Sequence, residues 1–370
     1  MATFLTNEKE IRNEVCLKTT KDTYKVYLQY LRILGSIFVI AIHFCAKFFY
    51  SFNYSTYQWL ASTFYNCLSR TAVPIFFFIS GALLLDENKT YSFKKLFNKI
   101  FRFFIITIFW IFVYFISDYI LYKQTPSFAE YKYHLWFMFD YIILLILTPV
   151  LKLICKKENK VIVKYLLSVF VIGYVLISLL ETFNHIDSDF IIVKLIRQGI
   201  HLISRFKITQ LANCFILAIS GWYICSFDMT KYKKPALFFL LINFAAIFGV
   251  LLLCMKKNNT LAFNYYSGYY NIFTYFTTLS LFIVFKYSKL TNRDNKYVKF
   301  ISKNTFAIYL LHVLIIDLIF YFIGNWIYSI CSTAMALIYI PIIIILIFII
   351  TFFCSLIFLL LPPKIRKYLC

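Results

Sequence analysis

Arg32 and His43 stand eleven residues apart inside the apolar run Tyr27–Tyr50, YLQYLRILGSIFVIAIHFCAKFFY. At 100° per residue, eleven steps return a helix to nearly the same azimuth. The two side chains therefore share one face, roughly 16 Å apart along the axis. An imidazole that changes charge near neutral pH can take and return a proton. A guanidinium can bind phosphate or steady a developing oxyanion. Insertion scales put an arginine at the bilayer centre at about 2.5 to 3.5 kcal/mol, so such residues usually face a protein interior or a water-filled cavity. The expectation is a wet reaction chamber lined by Arg32 and His43 and walled by other helices. Two plainer roles stand beside it: Arg32 snorkelling to the headgroups, and His43 hydrogen-bonding to a neighbouring helix.

A third cation, Arg70, lies about ten residues into the next apolar stretch, in SRTAVPIFFFISGALLL. It either joins the chamber or pairs with a carboxylate such as Asp140 or Glu181. Pro74 follows four residues later and predicts a kink that frees a backbone carbonyl. Gly81 suits a close helix contact. His134 and Trp136 open a later helix, where His134 could cap the helix or face water and Trp136 fits an interfacial anchor. His312 follows Tyr309 by nearly one turn in AIYLLH, placing both on one face. His185 and His201 fall in a loop. Lys94, Lys95, Lys99 and Arg102 form a basic segment, with Lys99 and Arg102 one turn apart where they could hold phosphates. No phosphate-cradling glycine loop, HExxH or GxSxG occurs, which argues against nucleotide-driven transport, metalloprotease and serine-hydrolase chemistry. No metal site is expected.

The elements that must position these groups are membrane helices. Of 370 residues, 62% are hydrophobic, 21% aromatic and only 15% charged, and soluble domains carry about 25% charged residues. The formal charge of +22 does not indicate nucleic-acid binding, because Lys and Arg concentrate about threefold in alternate loops, as the positive-inside rule requires. The expected fold is all-α and polytopic, with about ten transmembrane helices near 27–50, 60–85, 103–122, 134–154, 161–182, 208–226, 236–254, 269–286, 304–325 and 333–361. Both termini then lie in the cytoplasm. A basic arm covers 1–26, the membrane domain 27–362 and a short tail 363–370. The arm has no apolar core and so does not read as a cleavable signal. In the loop 183–207, Lys194, Arg197, His201 and Arg205 alternate with Ile and Leu as in a surface amphipathic helix. The ten cysteines show no CxxC or metal-like spacing and read as small membrane hydrophobes.

Five segments, in this order, are YLRILGSIFVIAIH, SRTAVPIFFFISGALLL, FKKLFNKIFRF, HLWFMFDYIILLILTPVLK and ISKNTFAIYLLH. Together they resemble the acyltransferase-3 family of integral-membrane O-acyltransferases over nearly the whole chain. The resemblance implies transfer of an acyl group, usually acetyl, from cytosolic acyl-CoA to a hydroxyl of a cell-surface glycan or lipid-linked sugar. It implies Arg32 and His43 as the functional pair and Arg70 as the arginine of the second helix. Lys99 and Arg102 match a basic-x-x-basic motif in which Lys replaces the first Arg, with Lys95 beside them on the donor side. His134 falls in the family's HLWF segment, and Trp136, Tyr309 and His312 are the other residues expected to support the site or meet the acceptor. The likeness is to stand-alone members that modify surface polysaccharides in a bacterial cell membrane. No bound cofactor is expected, acetyl-CoA being a substrate, and the sequence leaves assembly as a homo-oligomer open. The alternative from another class is a transporter or flippase for a lipid-linked glycan, its buried cations contacting anionic headgroups.

Overall fold

Pro74 lacks an N–H, and in a continuous helix its ring would strike the carbonyl four residues back, which belongs to Arg70. The second apolar stretch divides at that point into α2 (Tyr57–Ser69) and α3 (Ala72–Leu84). Pro74 occupies the first turn of α3, where a missing N–H leaves no ladder bond unmade. The expected single kinked helix over 60–85 is thus corrected to a broken one. Arg70 ends α2, its N–H bonded to the Asn66 carbonyl at 3.0 Å.

The computed structural model describes residues 2–50, 56–89, 92–123, 134–184, 190–204, 213–256 and 260–362. The remaining helices are α1 (Ala2–Phe49), α4 (Phe93–Tyr122), α5 (Trp136–Ile154), α6 (Lys160–Asn184), α7 (Ile191–Ser204), α8 (Asn213–Ser226), α9 (Lys233–Lys256), α10 (Thr260–Tyr266), α11 (Ile272–Tyr287), α12 (Lys296–Cys331) and α13 (Ala336–Leu356). Among the described residues no strand occurs. Among the described residues seven helical stretches are long and apolar enough to cross a membrane, and two shorter apolar helices, Cys214–Ser226 and Ile272–Tyr287, accompany them. Phe97, Phe101, Phe104 and Phe112 on α4 and Leu237, Phe238 and Leu241 on α9 are exposed, as side chains facing lipid should be.

Three boundaries differ from the sequence reading. α1 starts at Ala2, so the basic arm continues the first helix. α4 starts at Phe93, which puts Lys94, Lys95, Lys99 and Arg102 on its first turns instead of in a loop. α12 runs to Cys331 but is bent at Ile323 (φ −129°, ψ 16°), next to the expected end at 325. The amphipathic segment is the helix α7, while His185 and Arg205 lie outside the described residues.

α1 is the axis of the bundle, packed on α2, α3, α11, α12 and α13. α3 is held between α1 and α8, and ten of its residues are buried. α3 and α8 cross backbone to backbone at two glycines. A Cβ on Gly81 would overlap the Ala218 carbonyl, and one on Gly221 would overlap the Phe78 carbonyl. Backbone cannot move aside as a side chain can, so the overpacking cost should reach or exceed its usual upper value of about 3 kcal/mol. Gly81→Ala and Gly221→Ala should each lower the thermal midpoint of detergent-solubilised protein, whereas Gly249→Ala, with open space around it, should leave it unchanged.

Candidate active site

Three helices bring three imidazoles together. α1 carries His43, the turn entering α5 carries His134, and α12 carries His312. Ring centres are 5.1 Å apart for His43 and His312, 5.8 Å for His43 and His134, and 5.2 Å for His134 and His312. His134 and His312 are buried and His43 is half-buried. The burial of His134 corrects the expectation that it faces water. Among the described residues no group of three His, Cys, Asp or Glu side chains is arranged to hold a metal ion.

Tyrosines fix the cluster. Tyr309 donates its hydroxyl to the His134 carbonyl at 2.6 Å, and Tyr114 donates to the Leu310 carbonyl at 2.7 Å with its ring 4.7 Å from that of His134. His312 Nδ1 lies 2.5 Å from the Tyr309 carbonyl. A carbonyl only accepts, so Nδ1 carries the proton. In the neutral ring Nε2 is then a lone pair, and it has no hydrogen-bond partner among the described residues.

A cavity of about 20 Å³ adjoins His43, lined also by Val73, His134, Trp136, Phe137, Tyr269 and Tyr309. That is room for about one water molecule. Trp136 stacks near Tyr269 at 5.5 Å and faces this cavity, so it is a wall of the site and not only an interfacial anchor.

Arg32 does not line the cavity, which corrects the expected shared hollow. It is half-buried and lies within electrostatic reach of Tyr141, whose hydroxyl accepts a hydrogen bond from Lys99 Nζ at 3.2 Å. Tyr141 stacks on Phe137 at 6.2 Å and 22°, and Phe137 reaches the cavity. Tyr141 and Phe137 thus form a run of aromatic rings from the Arg32 side to the cavity. Two of the donor-side residues separate by environment: Arg102 is half-buried one turn beyond Lys99, whereas Lys95 is exposed in the first turn of α4.

Arg70 is only 6% exposed, and its partners are neutral. Nε donates to Asn66 Oδ1 at 2.6 Å and Nη2 to the Tyr50 hydroxyl at 3.1 Å. Its guanidinium carbon lies 5.0 Å from the centre of the Tyr269 ring, so Arg70 reaches the cavity through that ring. The alternative partner Asp140 instead accepts from Tyr270 at 3.1 Å, and the side chain of Glu181 lies outside the described residues.

Sequence reasoning missed Tyr114, Phe137, Tyr141 and Tyr269, four rings among 74 Phe and Tyr residues with nothing local to distinguish them. It also passed over Lys47, Asp118 and Asp317. Lys47 and Asp317 form an ion pair at 3.1 Å, each four or five residues beyond a clustered histidine, and Asp118 is buried one turn beyond Tyr114. A charge inside an apolar run was the available signal.

A family model described as an acyltransferase domain, that of acyltransferase-3, matches residues 25–359. No curated protein and no solved structure matches the chain.

Proposed function

The chain belongs to the acyltransferase-3 family of membrane acyltransferases, and from that premise we propose that it transfers an acetyl group from cytosolic acetyl-CoA to a hydroxyl of a cell-surface polysaccharide or lipid-linked sugar. The observation that carries this reading is His43, an intramembrane imidazole opening on a cavity whose wall includes two further polar rings, His134 and Tyr309. In the proposed arrangement both termini and the Lys-rich start of α4 face the cytosol of a bacterial cell.

A sugar hydroxyl is a weak nucleophile. His43 takes its proton as the oxygen bonds to the thioester carbonyl carbon. The tetrahedral oxyanion forms beside the first turn of α3, where Val73 lines the cavity and the helix dipole is positive, with Arg70 behind Tyr269 adding charge. Collapse breaks the carbon–sulfur bond, and the proton held by His43 leaves with the CoA thiolate. Arg32 and Lys99 receive the donor's phosphates, and Arg102 supports them. The rings of Phe137 and Tyr141 move aside for the pantetheine arm, since a cavity of about 20 Å³ admits no thioester as it stands.

Lys99→Ala combined with Arg102→Ala should raise the KM for acetyl-CoA about tenfold, equivalent to about 1.4 kcal/mol, with little change in kcat. An unchanged KM would leave these cations as topology determinants alone. For the function itself the test is the mass of the surface polymer in a strain lacking the gene. Loss of acetyl masses from an otherwise intact polymer supports transfer. Absence of the polymer itself would support export of a lipid-linked glycan and overturn the assignment.

A further inference from the structure

His312 is fully buried, and its Nδ1 is committed to the Tyr309 carbonyl at 2.5 Å. That bond sets the tautomer and leaves Nε2 as a pure acceptor, without a partner among the described residues. A buried acceptor held in one orientation and left unpaired is costly, so its retention calls for a donor that can turn toward it. The ring of His43 is the nearest candidate with a variable number of donors, its centre 5.1 Å away. That separation equals roughly one hydrogen bond of about 2.9 Å plus the two ring radii. Neutral His43 carries one N–H and one lone pair, so fixing which nitrogen donates to His312 fixes which one can act as base.

We infer that His312 is a positioning residue for His43: its Nε2 accepts the N–H of the His43 nitrogen that faces away from the acceptor hydroxyl, so that the other nitrogen presents its lone pair to that hydroxyl, and the bond strengthens once His43 carries both protons. This rests on the acyl-transfer reading of the site. The proton passes from hydroxyl oxygen to one nitrogen of His43, while the other nitrogen, turned to His312, keeps its N–H. When the thiolate leaves, the proton goes with it and His43 is again neutral, its remaining N–H still on His312. No charge settles on His312 at any stage. His134, 5.2 Å from His312 on the other side, has its backbone carbonyl bonded by the Tyr309 hydroxyl and its ring edge-on to Tyr114.

The test compares His312→Gln, which keeps an acceptor oxygen near the Nε2 position, with His312→Leu and His312→Phe, which delete it at two sizes. Purified full-length variants are assayed with acetyl-CoA and glycan, with thermal midpoints recorded. The expected result is a kcat about 100-fold lower in whichever apolar variant keeps the wild-type midpoint, part of the loss of a general base. His312→Gln should stay within about tenfold of wild type, with the KM for acetyl-CoA unchanged throughout. A folded apolar variant with wild-type kcat overturns the inference while leaving the acyl-transfer reading in place. Equal losses in Gln and apolar variants, tracking a lowered midpoint, reduce His312 to a packing role and also overturn it. A wild-type protein that transfers no acetyl removes both.

Discussion

His43→Ala should abolish acetyl transfer, with kcat falling at least about 10³-fold, within the usual range of about 10² to 10⁴ for a positioned general base. Tyr309, on the same cavity, has its proton committed to the His134 carbonyl, and His312 does not line the cavity. The variant should nevertheless reach the membrane at normal levels, because the half-buried His43 ring contributes edge contacts to His134 and His312 and little of the helix packing around α1. Label incorporated from acetyl-CoA, normalised to protein in the membrane, separates the two effects. Product at a tenth of the wild-type rate or more would rule out His43 as the base.

Arg70→Ala should cost both activity and stability. The guanidinium bridges the Asn66 amide oxygen and the hydroxyl of the exposed Tyr50, and removing it leaves the buried Asn66 oxygen short of a donor at about 1 to 3 kcal/mol. It also removes the cation under Tyr269 at the end of a broken helix, where the dipole of α2 favours positive charge. Removal of an electrostatic stabiliser of this kind lowers kcat by about 10²- to 10³-fold. Arg70→Lys should recover little, because one ammonium cannot serve Asn66, Tyr50 and the ring with the geometry of a planar fork. The KM for acetyl-CoA should hold, since the donor's phosphates are assigned to Arg32 and Lys99. A raised KM with unchanged kcat would move Arg70 to the donor site.

The membrane character and the helical layout were legible because a span needs little more than a sustained apolar run, and the chain has few charges with which to interrupt one. His43, His312 and Arg70 were legible for the complementary reason, as polar groups inside those runs, whereas His134, in the turn that enters α5, read from its position alone as a cap or a water-facing residue. The break at Arg70 was half legible: Pro74 announced a disturbance, but its position in the first turn of α3 rather than mid-helix depends on where α2 stops. The Gly81–Gly221 crossing was legible only as small residues, since nothing in the sequence pairs α3 with α8. The relation between Arg32 and His43 was the main misreading. A shared helix face fixes azimuth but not the neighbours of each group, and here Arg32 is set near Tyr141 of α5 while His43 opens on a cavity that Arg32 does not line. Aromatic residues make up 21% of the chain, so no local pattern marks the few that border the site.

The central claim is that one imidazole on α1 transfers a proton while acetyl moves from CoA to a sugar hydroxyl. It is tested most directly with the purified protein in proteoliposomes, given radiolabelled acetyl-CoA and candidate glycan, wild type against His43→Ala. The account predicts label in the glycan with wild type and background with the variant, at equal amounts of folded protein. Equal labelling by the two proteins, or no labelled glycan with wild type across the candidate acceptors, would contradict it.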